Sequence, residues 1–191
     1  MNQPVVLVLA SGRGERFVAS GGSGSKLHAL LGGRPVLERT LDAVRASGLP
    51  WHLEDAGHEG MGDSIAAAVR ATQDAPGWLI LPGDLPLVRP QTLQAVAAAL
   101  ADHAVVLVHY RGQRGHPVAF GASCRDALLL LRGPQGAALV VRAQAQIKPV
   151  AQLELDDPGI VTDIDTVQDL ASAERLLALS LRAASTSSGQ A

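Results

Sequence analysis

The chain has 191 residues, 47% of them hydrophobic, 18% charged and 3% aromatic, with a formal net charge of −2. That length supports one sizeable α/β core, while a near-neutral balance with few aromatic rings argues against a broad nucleic-acid surface, which needs a basic face and often stacking rings. Cys124 is the single cysteine, which excludes an intramolecular disulfide and a cysteine-based zinc cluster; with no basic leader and no apolar run near the roughly 18 residues of a membrane span, the expected address is the cytoplasm, without a membrane partner.

Val5 to Leu9 is an unbroken branched apolar run, the mark of a strand buried on both faces of a parallel sheet. It breaks into Ala10-Ser11-Gly12-Arg13-Gly14-Glu15-Arg16-Phe17, where glycines let backbone N–H groups turn toward an anion and Arg16 adds positive charge. Lys26 follows a small-residue loop. A dinucleotide fingerprint needs glycine where Phe17 stands, and a P-loop needs Ser or Thr where Leu27 stands, so neither applies. Ser20-Gly21-Gly22-Ser23-Gly24-Ser25 has no apolar residue to pin it, and predicts a mobile loop over residues 18–26 that orders on nucleotide binding and draws Lys26 to the phosphates.

Farther along, periodicity predicts helices over Val36 to Ser47, Ser64 to Gln73, Gln91 to Ala101, Ser123 to Leu131, Ala137 to Ala145 and Thr166 to Leu179. Strands are expected over Trp78 to Leu81, Ala104 to Tyr110, Val118 to Phe120 and Ile147 to Leu155. The alternation is that of a mostly parallel sheet covered by helices. One domain is expected over residues 1–180, and the small, polar stretch over residues 181–191 is expected to be a disordered tail.

Asp63 or Ser64 fits a helix N-cap before Ile65. The run Trp78-Leu79-Ile80-Leu81-Pro82-Gly83-Asp84 delivers an aspartate at the carboxyl end of a buried strand, the edge at which open α/β sheets bind ligands. Beside a triphosphate, such a carboxylate suits Mg²⁺; by itself it also fits a turn aspartate. Asp163-Ile164-Asp165-Thr166 offers a second carboxylate just before a helix, where Asp165 or Thr166 fits equally well as the N-cap.

In order, Leu9-Ala10-Ser11-Gly12-x-Gly14-x-Arg16-Phe17, Lys26-Leu27, Gly33-Arg34-Pro35-Val36-Leu37, Gly60-Met61-Gly62-Asp63-Ser64-Ile65, Leu81-Pro82-Gly83-Asp84-Leu85-Pro86, Gly115-His116-Pro117-Val118 and Asp163-Ile164-Asp165-Thr166 resemble the MobA-like nucleotidyltransferases, and most the molybdenum cofactor cytidylyltransferase branch. The resemblance covers about residues 5–179 and implies a three-layer α/β/α, Rossmann-like fold with a mostly parallel sheet. It implies transfer of a nucleoside monophosphate, from CTP or alternatively GTP, to the terminal phosphate of a molybdopterin-type acceptor with release of pyrophosphate. By the same resemblance Leu9, Ala10, Ser11, Gly12, Gly14, Arg16, Lys26, Gly62 and Ser64 bind nucleotide, and Arg16, Lys26 and Asp84 act in catalysis. Asp84 and Asp165 hold Mg²⁺, and Gly115, His116 and Pro117 meet the acceptor. A molybdenum hydroxylase apo-enzyme is the implied protein partner. Alternatives are another phosphorylated acceptor, such as a sugar phosphate, or a non-catalytic cofactor chaperone.

Three departures from the family pattern stand out. The spacing between Arg16 and Lys26 is long, and Leu49 to Ala56 is short enough that the sheet is expected to lack a strand or a crossover there. Gly133-Pro134-Gln135-Gly136-Ala137-Ala138 lacks the family's acid and arginine, for which Arg142 is a displaced substitute or merely a surface arginine.

Overall fold

The computed structural model describes residues 3–12 and 14–187. Strand β1 (Val5–Leu9) divides its side chains by the strand period of two: Val6 and Val8 enter one apolar cluster, Leu7 and Leu9 another on the opposite face. Through Gly14, in the left-handed conformation (φ 65°), the chain enters a short helix α1 (Glu15–Ala19). A 3-10 turn over Lys26–His28, strands β2 (Leu30–Leu31) and β3 (Arg34–Pro35), and helix α2 (Val36–Ser47) follow. Then come β4 (Trp51–Glu54), α3 (Met61–Ala71), β5 (Gly77–Pro82), α4 (Pro90–Ala99), β6 (Val105–Tyr110), β7 (Gln113–Arg114) and β8 (Val118–Gly121). The order ends with α5 (Arg125–Leu129), α6 (Ala138–Ala145), β9 (Ala151–Glu154) and α7 (Val167–Ser187).

Seven strands form one sheet in the order β4-β1-β5-β8-β6-β7, with β9 also paired to β6. β4, β1, β5, β6 and β9 run one way; β8 lies antiparallel between β5 and β6, and β7 is the hairpin partner of β6. On one face Leu41 and Val44 of α2 and Leu93 and Val96 of α4 pack against Val6, Val8, Leu79 and Leu81. On the other, Ile65 and Val69 of α3, Leu128 of α5 and Val140 of α6 cover Leu7, Trp78, Ile80 and Phe120. This is the expected three-layer α/β/α, Rossmann-like architecture, with the carboxyl ends of β1, β4 and β5 on one edge.

A third cluster, Phe17, Leu27, Leu31, Val36, Ile164 and Ala173, ties α1, the lysine turn and α7 together beside that edge. Burial of Phe17 and Leu27 contributes about 1.5–3 kcal/mol each, which offsets part of the entropy of ordering the glycine-rich loop between them. That loop departs from the expectation of an unanchored flap. Ser20 Oγ donates to Phe17 O (2.8 Å) and accepts from Val167 N (3.0 Å), and Gly22 N donates to Phe17 O (3.0 Å). The protein itself pins it.

Other boundaries differ from the sequence reading for local reasons. The short Leu49 to Ala56 stretch does deliver a strand: β4 runs parallel to β1 with Glu54 opposite Leu9. Helix α3 begins at Met61 after Gly60, so neither Asp63 nor Ser64 is its N-cap. α7 continues to Ser187, so residues 181–187 of the expected tail are helical, while 188–191 lie outside the described residues.

Asp157, 2% exposed, accepts from Thr92 Oγ1 (2.6 Å), Arg89 N (3.0 Å) and Gly159 N (2.9 Å), and so clasps the start of α4 to the turn over Pro158–Val161. Asp157→Ala leaves those donors unpaired and is expected to lower the unfolding free energy by about 3 kcal/mol, read as a lower urea midpoint at unchanged slope. A wild-type midpoint would contradict this role.

Candidate functional site

Where β1 and β5 end, three hydrogen bonds to backbone carbonyls fix the crevice. Gly83 N donates to Leu9 O (2.9 Å), Thr40 Oγ1 donates to Gly83 O (2.9 Å) and Ile164 N donates to Asp84 O (3.0 Å). The last bond brings the segment before α7 against the loop after β5, so that Asp84 and Asp165 meet although 81 residues separate them (165 − 84). Between them lies Lys26, its Nζ 2.5 Å from Asp84 Oδ2 and 2.7 Å from Asp165 Oδ1. Arg16 Nη1 meets Asp165 Oδ2 at 2.7 Å from the solvent side.

Each charged group is aimed by a buried neighbour. Phe17, Leu27 and Ile164 enter the third apolar cluster, which turns Arg16, Lys26 and Asp165 toward the crevice. The alternative reading of Asp165 as a helix cap is answered by Thr166 and Asp169, which cap α7 reciprocally. Asp169 N donates to Thr166 Oγ1 (3.2 Å), and Thr166 N donates to Asp169 Oδ2 (2.7 Å). Asp163 is exposed beside the buried Ile164. Burial alone would lower the pKa of Lys26, but the charges and hydrogen bonds of Asp84 and Asp165 outweigh it and hold the ammonium above its ordinary 10.5. Lys26 is therefore charged throughout the physiological range, whereas the Arg16 pair, with the arginine side chain 76% exposed, contributes at most about 1 kcal/mol and is easily exchanged for another anion.

The donor set suits a hard divalent cation that shares a ligand's oxygens. Asp84 Oδ1 is buried without a hydrogen-bond partner among the described residues. A Mg²⁺-type ion needs only one or two carboxylates when substrate phosphates and water complete its shell. Among the described residues no group of three or more His, Cys, Asp or Glu forms a metal cage of its own.

Leu9, Ser11, Gly12, Arg16, Lys26, Ser64, Asp84 and Asp165 line a cavity of about 350 Å³. Gly14 lines an adjoining recess beside Arg16 and Asp165. Ala10 packs instead against the third cluster, its N–H donating to Glu54 O (2.8 Å). Gly62 belongs to packing: a Cβ there would lie 2.8 Å from Arg132 O, and its N–H donates to Gly133 O (2.8 Å). Gly115 and His116 line a second cavity of about 300 Å³, while Pro117 leads from His116 into β8. Arg142 is exposed at the surface, and Arg114 supplies the cation among the lining residues of that second cavity.

Residues 134–138 depart from the family pattern. Gln135 to Ala138 also line this second cavity, and Asp63 holds the segment through Gly133 N (2.9 Å). Sequence reasoning did not single out Glu54, His58, Glu59 or Met61. His58, Glu59 and Met61 line the first cavity, and Glu54 Oε1 meets His58 Nε2 at 3.0 Å. Their only sequence signal is an acidic residue at a strand end followed four residues later by histidine.

Desolvation pushes the Glu54 carboxyl up, but hydrogen bonds from Ala56 N, His58 and His52 outweigh it and hold the carboxyl below its ordinary 4.5. A depressed folded pKa adds stability that is present above about pH 4.5 and is lost as pH falls through the folded value. Glu54→Gln is expected to cost about 1 kcal/mol at pH 7, and the deficit should shrink in acid denaturation profiles. A pH-independent deficit would show that charge is not the source.

Residues 43–149 match the family model described as the MobA-like NTP transferase domain. A GlmU bifunctional protein from Alkalilimnicola ehrlichii is 33% identical over 115 residues, 49% of this chain and 24% of the relative. The 2-C-methyl-D-erythritol 4-phosphate cytidylyltransferase of Frankia casuarinae is 36% identical over 118 residues, 50% of this chain and 43% of the relative. The chain thus matches less than half the length of either. In three dimensions, a nucleotidyl transferase from Methanothermobacter thermautotrophicus superposes with a TM-score of 0.77 at 23% identity, covering 94% of this chain and 100% of that one. With the family model matched over more than half of its length and a fold shared from end to end with a nucleotidyl transferase, this chain belongs to the MobA-like NTP transferase domain family.

Proposed function

We propose that the protein is a nucleotidyltransferase that moves CMP from CTP onto the terminal phosphate of a molybdopterin-type acceptor and releases pyrophosphate. The observation that carries this reading is the pairing of two carboxylates with Lys26 and Arg16 at the carboxyl edge of β1 and β5, in a chain of this family. Anionic phosphates compete with Asp84 and Asp165 for the two cations. As Arg16 and Lys26 turn to the triphosphate, the carboxylates are released to hold a divalent cation, Mg²⁺ in this reading. When bound, that ion supplies neutralisation of the triphosphate charge.

An acceptor phosphate oxygen attacks the α-phosphorus, the bond to the bridging oxygen breaks, and pyrophosphate leaves with that oxygen. The acceptor is already an anion, so no protein nucleophile or base is needed, and positioning with charge neutralisation accounts for the catalysis. Lys26, buried and permanently charged, stabilises charge that develops during transfer, whereas the exposed Arg16 gathers the ground-state phosphates. Gly115 and His116, which line the second cavity, and Pro117 beside them serve the acceptor. GTP as donor is the close variant.

A second acceptor class, a small sugar phosphate, is favoured by one observation: Gln135 to Ala138, which line the second cavity, belong to the segment that departs from the molybdopterin-branch pattern. A chaperone that delivers cofactor to a molybdenum hydroxylase is distinguished by binding without turnover. No helix among the described residues is long and apolar enough to cross a membrane; the cytoplasm as the place of the reaction is part of this proposal.

Incubation with each NTP, Mg²⁺ and either molybdopterin or erythritol 4-phosphate, followed by assay of pyrophosphate and of nucleotide-linked product, tests the reading. Cytidylylated molybdopterin is the expected product, and tight cofactor binding with no pyrophosphate would establish the chaperone instead. Asp84→Ala is expected to lower turnover at least about 100-fold with an unchanged far-UV circular dichroism spectrum; near-normal turnover in the folded variant would remove the metal assignment. Lys26→Ala should lower kcat at least about 10-fold, whereas Arg16→Ala should mainly raise KM for the NTP. An unchanged kcat in Lys26→Ala would reassign that lysine to ground-state anchoring.

A further inference from the structure

The first cavity has two chemically different ends. Arg16, Lys26, Asp84 and Asp165 form the charged one, and His58, Glu59 and Met61, around the connection from β4 to α3, form the other. β1 lies between β4 and β5, so the two ends stand about two strand spacings, roughly 10 Å, apart. That is the span of a nucleotide from its α-phosphate to the far edge of its base. Glu54 organises the β4 end. Its backbone carbonyl accepts from Ala10 N (2.8 Å) and from Ser11 Oγ (3.3 Å), and its carboxylate accepts from Ala56 N (3.3 Å) and meets His58 Nε2 at 3.0 Å and His52 Nε2 at 3.5 Å. Against the upward push of burial, the bonds from Ala56 N, His58 and His52 hold this carboxyl below its ordinary 4.5. An ionised carboxylate only accepts, so the contact fixes the proton of His58 on Nε2. The neutral ring then presents Nδ1 as a lone pair, and the His58 side chain, 27% exposed, is reachable from the cavity that it lines.

The neighbouring polar side chains agree in sign. Glu59, exposed, offers carboxylate oxygens, Ser64 Oγ spends its proton on Gly60 O (3.2 Å) and keeps its lone pairs, and the Ser11 proton is committed to Glu54 O. We propose that His58, with its tautomer fixed by Glu54, reads the base of the donor nucleotide, Nδ1 accepting from an exocyclic amino group, so that the site takes cytosine and turns away uracil, whose carbonyl at the same position would face the lone pair. This rests on the reading of the first cavity as a nucleoside triphosphate site. A site built to accept from a substrate N–H rejects the analogue that lacks it, because acceptor meets acceptor and both stay unpaired. Guanine, with a ring N–H and an amino group on one edge, satisfies the same wall, so His58 separates amino-bearing bases from uracil and does not separate cytosine from guanine. Glu54 acts through the ring and is a positioning residue.

The test uses the full-length protein with ¹⁵N-labelled histidine at pH 8 and, as probes, CTP and UTP with Mg²⁺. His58 is expected in the Nε2–H tautomer, CTP to move its Nδ1 resonance upfield as an accepted hydrogen bond does, and saturating UTP to produce no such shift. CTP should bind about 10-fold or more tightly than UTP. His58→Leu should bring that ratio near one by weakening CTP, and Glu54→Gln, whose amide can donate to Nε2, should admit the Nδ1–H tautomer and lower the ratio too. An Nδ1–H tautomer in the unsubstituted protein, no response to CTP, an equal shift with UTP (which would make a ribose hydroxyl the donor), or an undiminished ratio in either folded variant would overturn the inference. If His58→Leu does not fold, the resonance in the unsubstituted protein decides. The reaction reading fails separately, through absence of CMP transfer to a phosphorylated acceptor in protein whose Nδ1 resonance still responds to CTP.

Discussion

An ammonium held between two carboxylates is the interaction on which the crevice depends. Lys26 Nζ touches both Asp84 and Asp165 with its side chain 11% exposed. In such a setting, removing one partner is far costlier than the pair's net worth, because it strands a charge in low dielectric. The arrangement is therefore poised for exchange rather than for stability. The lysine can leave only toward another anion, and the carboxylates can release it only to another cation. In the proposed reaction a nucleoside triphosphate arriving with a divalent ion would supply both at once, which would couple the binding of the two.

That charged triad is held by hydrophobic means. Phe17, Leu27 and Ile164 each sit next in sequence to one of the crevice ions, and all three are buried in the same cluster. The cluster lies outside the two apolar layers that clamp the sheet, so the site has its own small core. Ser20 adds a polar tie from the glycine-rich loop to Val167 at the start of α7. Together they place Arg16 and Lys26 opposite an aspartate contributed from nearly the far end of the chain.

The two cavities divide the chemistry by charge. The first is lined by Arg16, Lys26, Asp84 and Asp165, and suits phosphates and metal; the second is mostly apolar, with one sealed imidazole acceptor. Close packing of the Gly60-Met61-Gly62 turn on the Arg132 and Gly133 backbone builds the wall that they share, with Met61 facing both. Glycine is required there by contact, since a Cβ on Gly60 would lie 2.4 Å from Gly133 O.

Local pattern alone was enough for β1, β5, β6 and α2, because an unbroken apolar run or a clean amphipathic period leaves one solution, and enough to nominate Arg16, Lys26, Asp84 and Asp165 from their places at strand and helix ends. It misjudged what depends on partners. β4 exists because β1 offers an edge to four residues that carry little signal of their own, and the glycine-rich loop is pinned by Phe17 and Val167, neither of which lies within it. At Gly62 only the fold reveals the Arg132 backbone packed where a Cβ would stand. The His58 contact with Glu54 and the unpaired Nδ1 of His116 have no periodicity and no spacing rule. The first spans only four residues, yet both are set by how the chain packs, since burial and hydrogen-bond satisfaction are properties of the packed molecule and not of any stretch of it.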